Sequence, residues 1–169
     1  AEVDETIIRE AFASRSSISV SGVLTRSIRC LALTDVPRLF DAVKRAFAEN
    51  QSERGDLAAV LLEADAERAP KVLCQLAARE RYSSVRDAIG LALRKYATEQ
   101  VTRSALEELF SANDSRARSA AAQLAGWLPP DFFRVQLESG VQDGTDDDFR
   151  RACFAALQRF SMWEQAREL

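Results

Sequence analysis

The sequence contains no histidine, and its three cysteines are widely separated among 169 residues. Without histidine the chain lacks the commonest general base, the usual partner of a nucleophilic serine or cysteine, and the usual nitrogen ligand of zinc. It also lacks the C-x-x-C spacing of zinc sites and the glycine-rich loops that hold phosphates, because its six glycines are isolated. These absences predict a protein that is not an enzyme and that holds no metal and no cofactor.

Long apolar runs and a strong net charge are also missing. Charged residues interrupt every apolar run well short of the roughly 18 residues that a membrane span needs. The formal net charge is only −3, with both signs scattered along the chain, so composition does not point to a membrane or nucleic acid as partner. Cys30, Cys74 and Cys153 lie in apolar stretches and are predicted to be buried free thiols, which favours a reducing, cytoplasmic location.

What the chain does contain is a repeated, helix-forming pattern. A twelve-residue phrase occurs three times at intervals of 32 residues, as VRDAIGLALRKY (85–96), ARSAAAQLAGWL (117–128) and FRRACFAALQRF (149–160). We number the positions of each copy from zero, so that Arg86, Arg118 and Arg150 all occupy position one. Apolar residues at positions zero, three, four, seven, eight and eleven lie on one face of an α-helix.

The segment before each copy is also periodic, which predicts a hairpin of a first and a second helix. Two apolar positions align twelve and eight residues upstream of each copy, at Leu73, Ala105 and Leu137, and at Ala77, Leu109 and Val141. We expect about ten residues in each first helix and about fourteen in each second helix. Pro70 suits a first helical turn, Pro129 and Pro130 end a second helix, and Asp114 and Asp146 are predicted N-caps.

The remaining chain extends this organisation more weakly. VPRLFDAVKRAF (36–47), capped by Asp35, and GDLAAVLLEA (55–64) form a predicted pair, and ETIIREAF (5–12) and SGVLTRSIRCLAL (21–33) form another. Residues 1–169 are thus predicted to be one domain with nine or ten helices. It has weaker repeats over 1–68, three clear repeats over 69–160 and a C-terminal tail over 161–169. Because the first residue is Ala1 and not Met, we expect a piece of a larger polypeptide.

The repeated phrase resembles the short-unit form of HEAT-like (armadillo-type) repeats. The resemblance rests on hydrophobic–Arg–x–Ala, on the Ala/Leu pairs and large apolar residue that follow, and on the acidic residue before each phrase. It implies an all-α fold, a right-handed α-α superhelix (solenoid) of about five hairpins whose second helices line a concave face. Two departures are the unit length, below the roughly 40–47 residues of typical HEAT repeats, and Tyr82 where later copies have Asp114 and Asp146.

The resemblance implies a scaffold or adaptor that binds another protein, or a peptide segment, on this concave face. One alternative is a nucleic-acid-backbone binder similar to DNA-alkylation-repair proteins, and another is a HEAT-like bilin lyase or its chaperone. The overall acidity argues against nucleic acid, whereas Arg94, Lys95, Arg151 and Arg159 on the second helices argue mildly for it.

The position-one arginines Arg86, Arg118 and Arg150 have two interpretations. They form either a basic stripe for phosphate or a structural ladder, in which each pairs with an acid four residues earlier or in the adjacent unit. Asp114 and Asp146 are the candidate acids of that ladder. We favour the ladder, because HEAT-like proteins use the matching arginine for pairing between repeats.

Positions five, six, nine and ten of each second helix are predicted to face outward. The candidate partner-binding residues are the large or polar side chains there, namely Trp127, Phe154, Arg94, Lys95, Gln123, Gln158 and Arg159. Trp and Arg dominate the energetics of interfaces, so Trp127, Phe154, Arg94 and Arg159 are predicted to form one continuous patch. The alternative is that Trp127 packs between hairpins, or over the following prolines, as ordinary core.

Overall fold

The computed structural model describes residues 35–50 and 52–167, with the backbone alone at residues 166 and 167. Over these ranges the chain forms eight α-helices and no β-strand, which confirms the all-α class. The helices are α1 Val36–Ala48, α2 Arg54–Ala64, α3 Ala69–Arg79, α4 Ser83–Tyr96, α5 Glu99–Phe110, α6 Ser115–Ala125, α7 Arg134–Val141 and α8 Asp147–Arg167. A 3-10 turn, Pro130–Phe132, precedes α7. The two helices predicted within 1–34 lie outside the described residues.

The helices begin where the capping residues predict. The Asp35 carboxylate accepts a hydrogen bond from the backbone N–H three residues later, and Asp114 accepts one from the N–H two residues later, both at 3.2 Å. Asp146 accepts one from the N–H three residues later at 3.0 Å. Pro70 lies in the first turn of α3, where its missing N–H costs nothing. These bonds satisfy donors that every helix start leaves unpaired.

The predicted apolar face of each second helix forms the core. The core positions that are buried in α4, in α6 and just beyond it, and in α8 are Val85, Ile89, Ala92, Leu93, Ala117, Ala120, Ala121, Leu124, Ala125, Leu128, Phe149, Cys153, Ala156 and Phe160. Phe110 at the end of α5 joins two later elements, with its ring centroid 5.4 Å from that of Phe133 and 6.3 Å from that of Phe149. The core therefore runs continuously through successive hairpins.

Helix contacts follow the order of the chain. The second helices α2, α4, α6 and α8 each pack against the next one in that series. Among the first helices, α3 packs against α5, and α3 also contacts α6 of the following hairpin. Within the described ranges, no helix is both long enough and apolar enough to cross a membrane.

The predicted C-terminal tail is helical as far as the structure describes it. Residues 161–167 continue α8 as one helix. No glycine or proline follows Phe160, and Trp163 gives this extra turn an apolar contact. Its ring centroid lies 6.0 Å from that of Trp127 and 6.4 Å from that of Phe160.

Candidate functional site

Aromatic and guanidinium groups meet where the end of α6 lies against α4 and α8. The Arg159 guanidinium carbon lies 4.2 Å from the ring centroid of Trp127, and that of Arg94 lies 4.2 Å from the ring centroid of Trp163. The two indole rings lie 6.0 Å apart. A guanidinium over an indole face is attracted by the negative potential of the ring. We call these four side chains the Trp–Arg cluster.

Asp87 on α4 fixes the orientation of this cluster. Its Oδ1 accepts hydrogen bonds from Trp127 Nε1 at 2.7 Å and from Gln123 Nε2 at 2.9 Å, and lies 3.6 Å from Arg159 Nη2. Gln123 Nε2 also donates to the carbonyl oxygen of Ser83 at 3.0 Å. The hydrogen bonds of the fold therefore already fix the half-buried side chains of Trp127 and Gln123. A partner that contacts them would cause only a small further loss of side-chain entropy.

Close packing of the second helices brings Trp127 to this place. A Cβ atom on Gly90 would lie only 2.5 Å from Trp127 Cδ1, and one on Gly126 would lie 2.9 Å from the Cβ of Ala156. Gly90, Ala122 and Gly126 are buried, so the prediction that they face outward is wrong. A second helix with neighbours on both sides has two buried faces, whereas a hairpin considered alone has one.

The structure divides the predicted patch into two surfaces. Arg94, Arg159, Gln123 and Trp127 come together at the cluster. Lys95 is exposed beside it, with Nζ 4.7 Å from the ring centroid of Tyr96.

Phe154 lies apart from the cluster. It is 54% exposed, and with Gln158 it lines an open groove of about 370 Å³ between α7 and α8. Arg159 follows Phe154 by five positions along α8, which places their side chains about 140° apart around the helix axis.

The arginine ladder forms its predicted pair between units at Arg118. Arg118 Nη2 lies 2.7 Å from Asp146 Oδ2, and Nη1 lies 3.5 Å from Asp143 Oδ2. The buried Asp146 also accepts from the backbone N–H of Phe149 at 3.0 Å and from the Ser115 hydroxyl at 2.8 Å. These hydrogen bonds, with the Phe149 N–H as the largest cause, lower the pKa of the Asp146 carboxyl. Arg118 therefore joins α6 to the start of α8.

Arg54 is a further member of the ladder that the sequence analysis missed. It lies 32 residues before Arg86, and its Nε and Nη2 donate to the Glu80 carboxylate at 2.6 and 3.0 Å. The two side chains are only 4% and 3% exposed. The hydrogen bond from Arg54 lowers the pKa of Glu80 to about 2, and the same bond raises the pKa of Arg54. Extending the period one unit upstream would have found it.

The other two arginines of the ladder differ from these. Arg150 pairs within α8 with Asp147 at 2.7 Å, and both side chains are exposed. Arg86 forms no ion pair with a described residue, and its Nε is buried without a hydrogen-bond partner there. Burial, and next the charge of Arg116, lower the pKa of Arg86. Asp114 caps α6 and does not pair with Arg86. Among the four arginines of the ladder, Arg86 is therefore the one without an ion pair to a described residue.

The remaining candidate groups are the cysteines and the possible metal ligands. Cys74 and Cys153 are free and buried as predicted, and burial raises the pKa of each thiol to about 12. Cys30 lies outside the described residues. Within the described part of the chain, no three His, Cys, Asp or Glu side chains are placed to hold a metal ion.

No protein-family model matches the chain, and comparisons with curated proteins and with solved structures also gave no match. The resemblance to HEAT-like repeats therefore remains a prediction that rests on the repeated phrase.

Proposed function

We propose that the chain is a HEAT-like α-α solenoid that acts as a protein-interaction scaffold and binds its partner on the face of the second helices. The packing of each second helix on the next supports the solenoid, because each hairpin of such a stack contacts only its neighbours. The ion pair from Arg118 to Asp146 supports it too, since it joins adjacent units.

The observation that carries the proposed function is the Trp–Arg cluster. It draws side chains from three successive second-helix regions, and Asp87 holds two of its members before any partner arrives. Tryptophan and arginine that are fixed in advance, with part of their surface exposed, are the residues that contribute most to binding energy. On the same helix as Arg94, the neighbouring Leu91 is 47% exposed and Lys95 is exposed. This surface combines an apolar centre with cationic edges.

Its charges favour a protein partner over nucleic acid. Asp87 partly neutralises Arg159, and the whole chain carries a net charge of −3. A duplex backbone needs several uncompensated cations in a row, because affinity comes from replacing condensed counterions. Binding to a protein surface of mixed polarity needs only a few uncompensated cations.

The test compares three versions of the immobilised chain in an extract of the source organism. Arg94→Glu reverses one exposed charge of the cluster, and Lys44→Glu makes the same change of charge on α1, a first helix. Arg94 lies in the last turn of α4, and Lys44 lies one residue before the last turn of α1, so the two substitutions disturb the helix dipole in the same direction. We expect mass spectrometry to identify proteins that the wild-type chain and Lys44→Glu retain and that Arg94→Glu loses.

Two results would contradict the proposal. One is an identical set of retained proteins for Arg94→Glu and the wild-type chain. The other is tight binding of duplex DNA whose affinity falls steeply with salt, which would favour the nucleic-acid alternative.

A further inference from the structure

Arg86, the arginine without an ion pair to a described residue, lines a groove of about 510 Å³. The groove lies near the starts of α4, α6 and α8, and its lining residues include Arg81, Arg86, Arg116 and Ser119. Two polar atoms, Arg86 Nε and Ser119 Oγ, are buried here without a hydrogen-bond partner among the described residues. Buried polar atoms are nearly always bonded in folded proteins, so two orphans beside one groove indicate a missing acceptor.

A comparison with Arg118 shows what is missing at Arg86. The Nε of Arg118 is also buried without a partner, but its terminal nitrogens bind Asp143 and Asp146. Asp114 stands 28 residues after Arg86, as Asp146 stands 28 residues after Arg118. Asp114 is exposed and bonds the start of its own helix instead of Arg86. Arg86 therefore occupies the repeat position of Arg118, but no carboxylate of a described residue pairs with it.

Arg116 adds a second cation at this place. It occupies the position that Asp148 occupies in the next copy of the repeat, so the unit has an arginine where its neighbour has an acid. Its charge acts on Arg86 in the direction that lowers the pKa of that arginine, second to burial. Asp87 and Glu80 act on Arg86 in the opposite direction, with smaller effects. Neither Arg86 nor Arg116 forms an ion pair with a described residue, so both guanidinium groups of the groove are free to donate to an oxyanion.

The acidic residues of the groove restrict what that oxyanion belongs to. Three carboxylates line the groove, those of Glu80, Asp114 and Asp148. Arg54 neutralises Glu80, while Asp114 and Asp148 are exposed and repel a continuous polyanion. The groove is also much larger than one carboxylate. These features fit a single anionic group carried on a larger, otherwise uncharged segment.

We propose that this groove binds the carboxylate of an acidic side chain from a partner polypeptide, with Arg86 and Arg116 as the cationic donors and Ser119 as a hydroxyl donor. The proposal rests on the scaffold function and names the chemistry of its partner. The bound carboxylate accepts from the guanidinium of Arg86, as Asp146 accepts from Nη2 of Arg118, and it also supplies the acceptor that Arg86 Nε lacks.

The test follows the Nε–Hε signal of Arg86 by NMR in the complete ¹⁵N-labelled chain. Sodium acetate, and a blocked pentapeptide with one central glutamate, should each shift that signal to saturation at constant ionic strength. Arg86→Lys keeps the charge but removes the planar fork, and should weaken peptide binding about tenfold. The Ser119 backbone amide reports binding in the variants. The matched control is Arg150→Lys, at the same repeat position but exposed, which should bind like the wild-type chain.

Two further variants keep the test decisive if Arg86→Lys does not fold. Arg116→Asp supplies the carboxylate that the next unit has at this position, so it should abolish peptide binding and raise the melting temperature. Ser119→Ala should weaken binding severalfold, while Ser104→Ala, an exposed serine on α5, should not.

Four results would overturn the proposal. They are a shift that grows linearly without saturation, unchanged binding in Arg116→Asp, equal affinity for the peptide with glutamine in place of glutamate, and tighter binding of a duplex oligonucleotide through Arg86. The capture experiment with Arg94→Glu is independent, because it probes the Trp–Arg cluster. Peptide binding without any captured protein would therefore count against the scaffold alone, and captured proteins without peptide binding would count against this groove alone.

Discussion

The carboxylate of Glu80 holds three consecutive elements of the fold together through its hydrogen bonds. It accepts two hydrogen bonds from Arg54 and two more from the backbone N–H groups of Arg81 and Tyr82, at 2.7 and 3.0 Å. The first two bonds join α2 to the end of α3, and the last two fix the start of the path into α4. Because the pair is buried, removal of one member leaves the other charged and desolvated.

Glu80→Gln should lower the free energy of unfolding by roughly 3–5 kcal/mol near pH 7, because the buried guanidinium of Arg54 then loses the negative charge that it bonds to. The hydrogen bond from Arg54 lowers the pKa of Glu80 in the folded chain to about 2, from the 4.5 of an ordinary glutamate. Its ionisation therefore stabilises the fold fully above about pH 4.5, and this stabilisation is lost as the pH falls toward 2. Urea denaturation across this range should show a smaller decline for the variant than for the wild-type chain.

Asp147→Asn provides the control at this scale. Its pair with Arg150 is exposed, so the substitution should change the free energy of unfolding by only about 0–1 kcal/mol. Equal effects of the two substitutions would mean that Glu80 and Arg54 are not a buried pair in solution.

At the scale of the element, each second helix has two buried faces, and the sequence predicted only one of them. The apolar period identifies the face that packs within a hairpin. The face that packs on the neighbouring second helices includes Gly90 and Gly126, and small residues are equally compatible with exposure to water. Only the contact partner, Trp127 or Ala156, shows that their small size is required.

Gly90→Ala should destabilise the chain by about 1–3 kcal/mol, although alanine is the better helix former by about 1 kcal/mol. The new methyl group would overlap the indole of Trp127, which must move from its bond with Asp87. Thermal denaturation measures the loss, and tryptophan fluorescence with Trp163 replaced by Phe reports a more exposed Trp127.

The matched control is Gly144→Ala, since a Cβ there meets nothing within 4 Å. It should leave both the stability and the fluorescence of Trp127 unchanged. A Gly90→Ala variant more stable than the wild-type chain would show that propensity, and not close packing, governs this position.

At the scale of the whole molecule, the order and pairing of the described helices followed from periodicity and punctuation, and the ladder partners did not. Whether an aspartate pairs with an arginine or caps its own helix depends on competing hydrogen bonds. Asp146 does both, whereas Asp114 only caps. Arg54 was missed because the apolar residues around it align weakly with the later copies. The sequence analysis assigned no helix to residues 161–167, because one of the apolar contacts of Trp163 comes from another unit.

A chain that ends at Pro129 tests whether successive hairpins stabilise one another. It lacks α7 and α8, so it exposes the apolar surface of α6 around Gly126 and leaves Arg118 without its carboxylates. We expect circular dichroism to remain helical, the melting temperature to fall, and sedimentation to show self-association. A truncated chain that stays monomeric and as heat-stable as its parent would contradict nearest-neighbour stacking.

The three groups around Asp87 have a consequence for how the protein is made. A ribosome releases the chain from its N-terminal end, so α4 exists before Trp127, and Trp127 exists before Arg159. Until these donors are synthesised, water must solvate the Asp87 carboxylate and the open flank of α4. This site is therefore completed in the order of translation, and α8, which emerges after the earlier hairpins, covers a surface that they leave exposed to water.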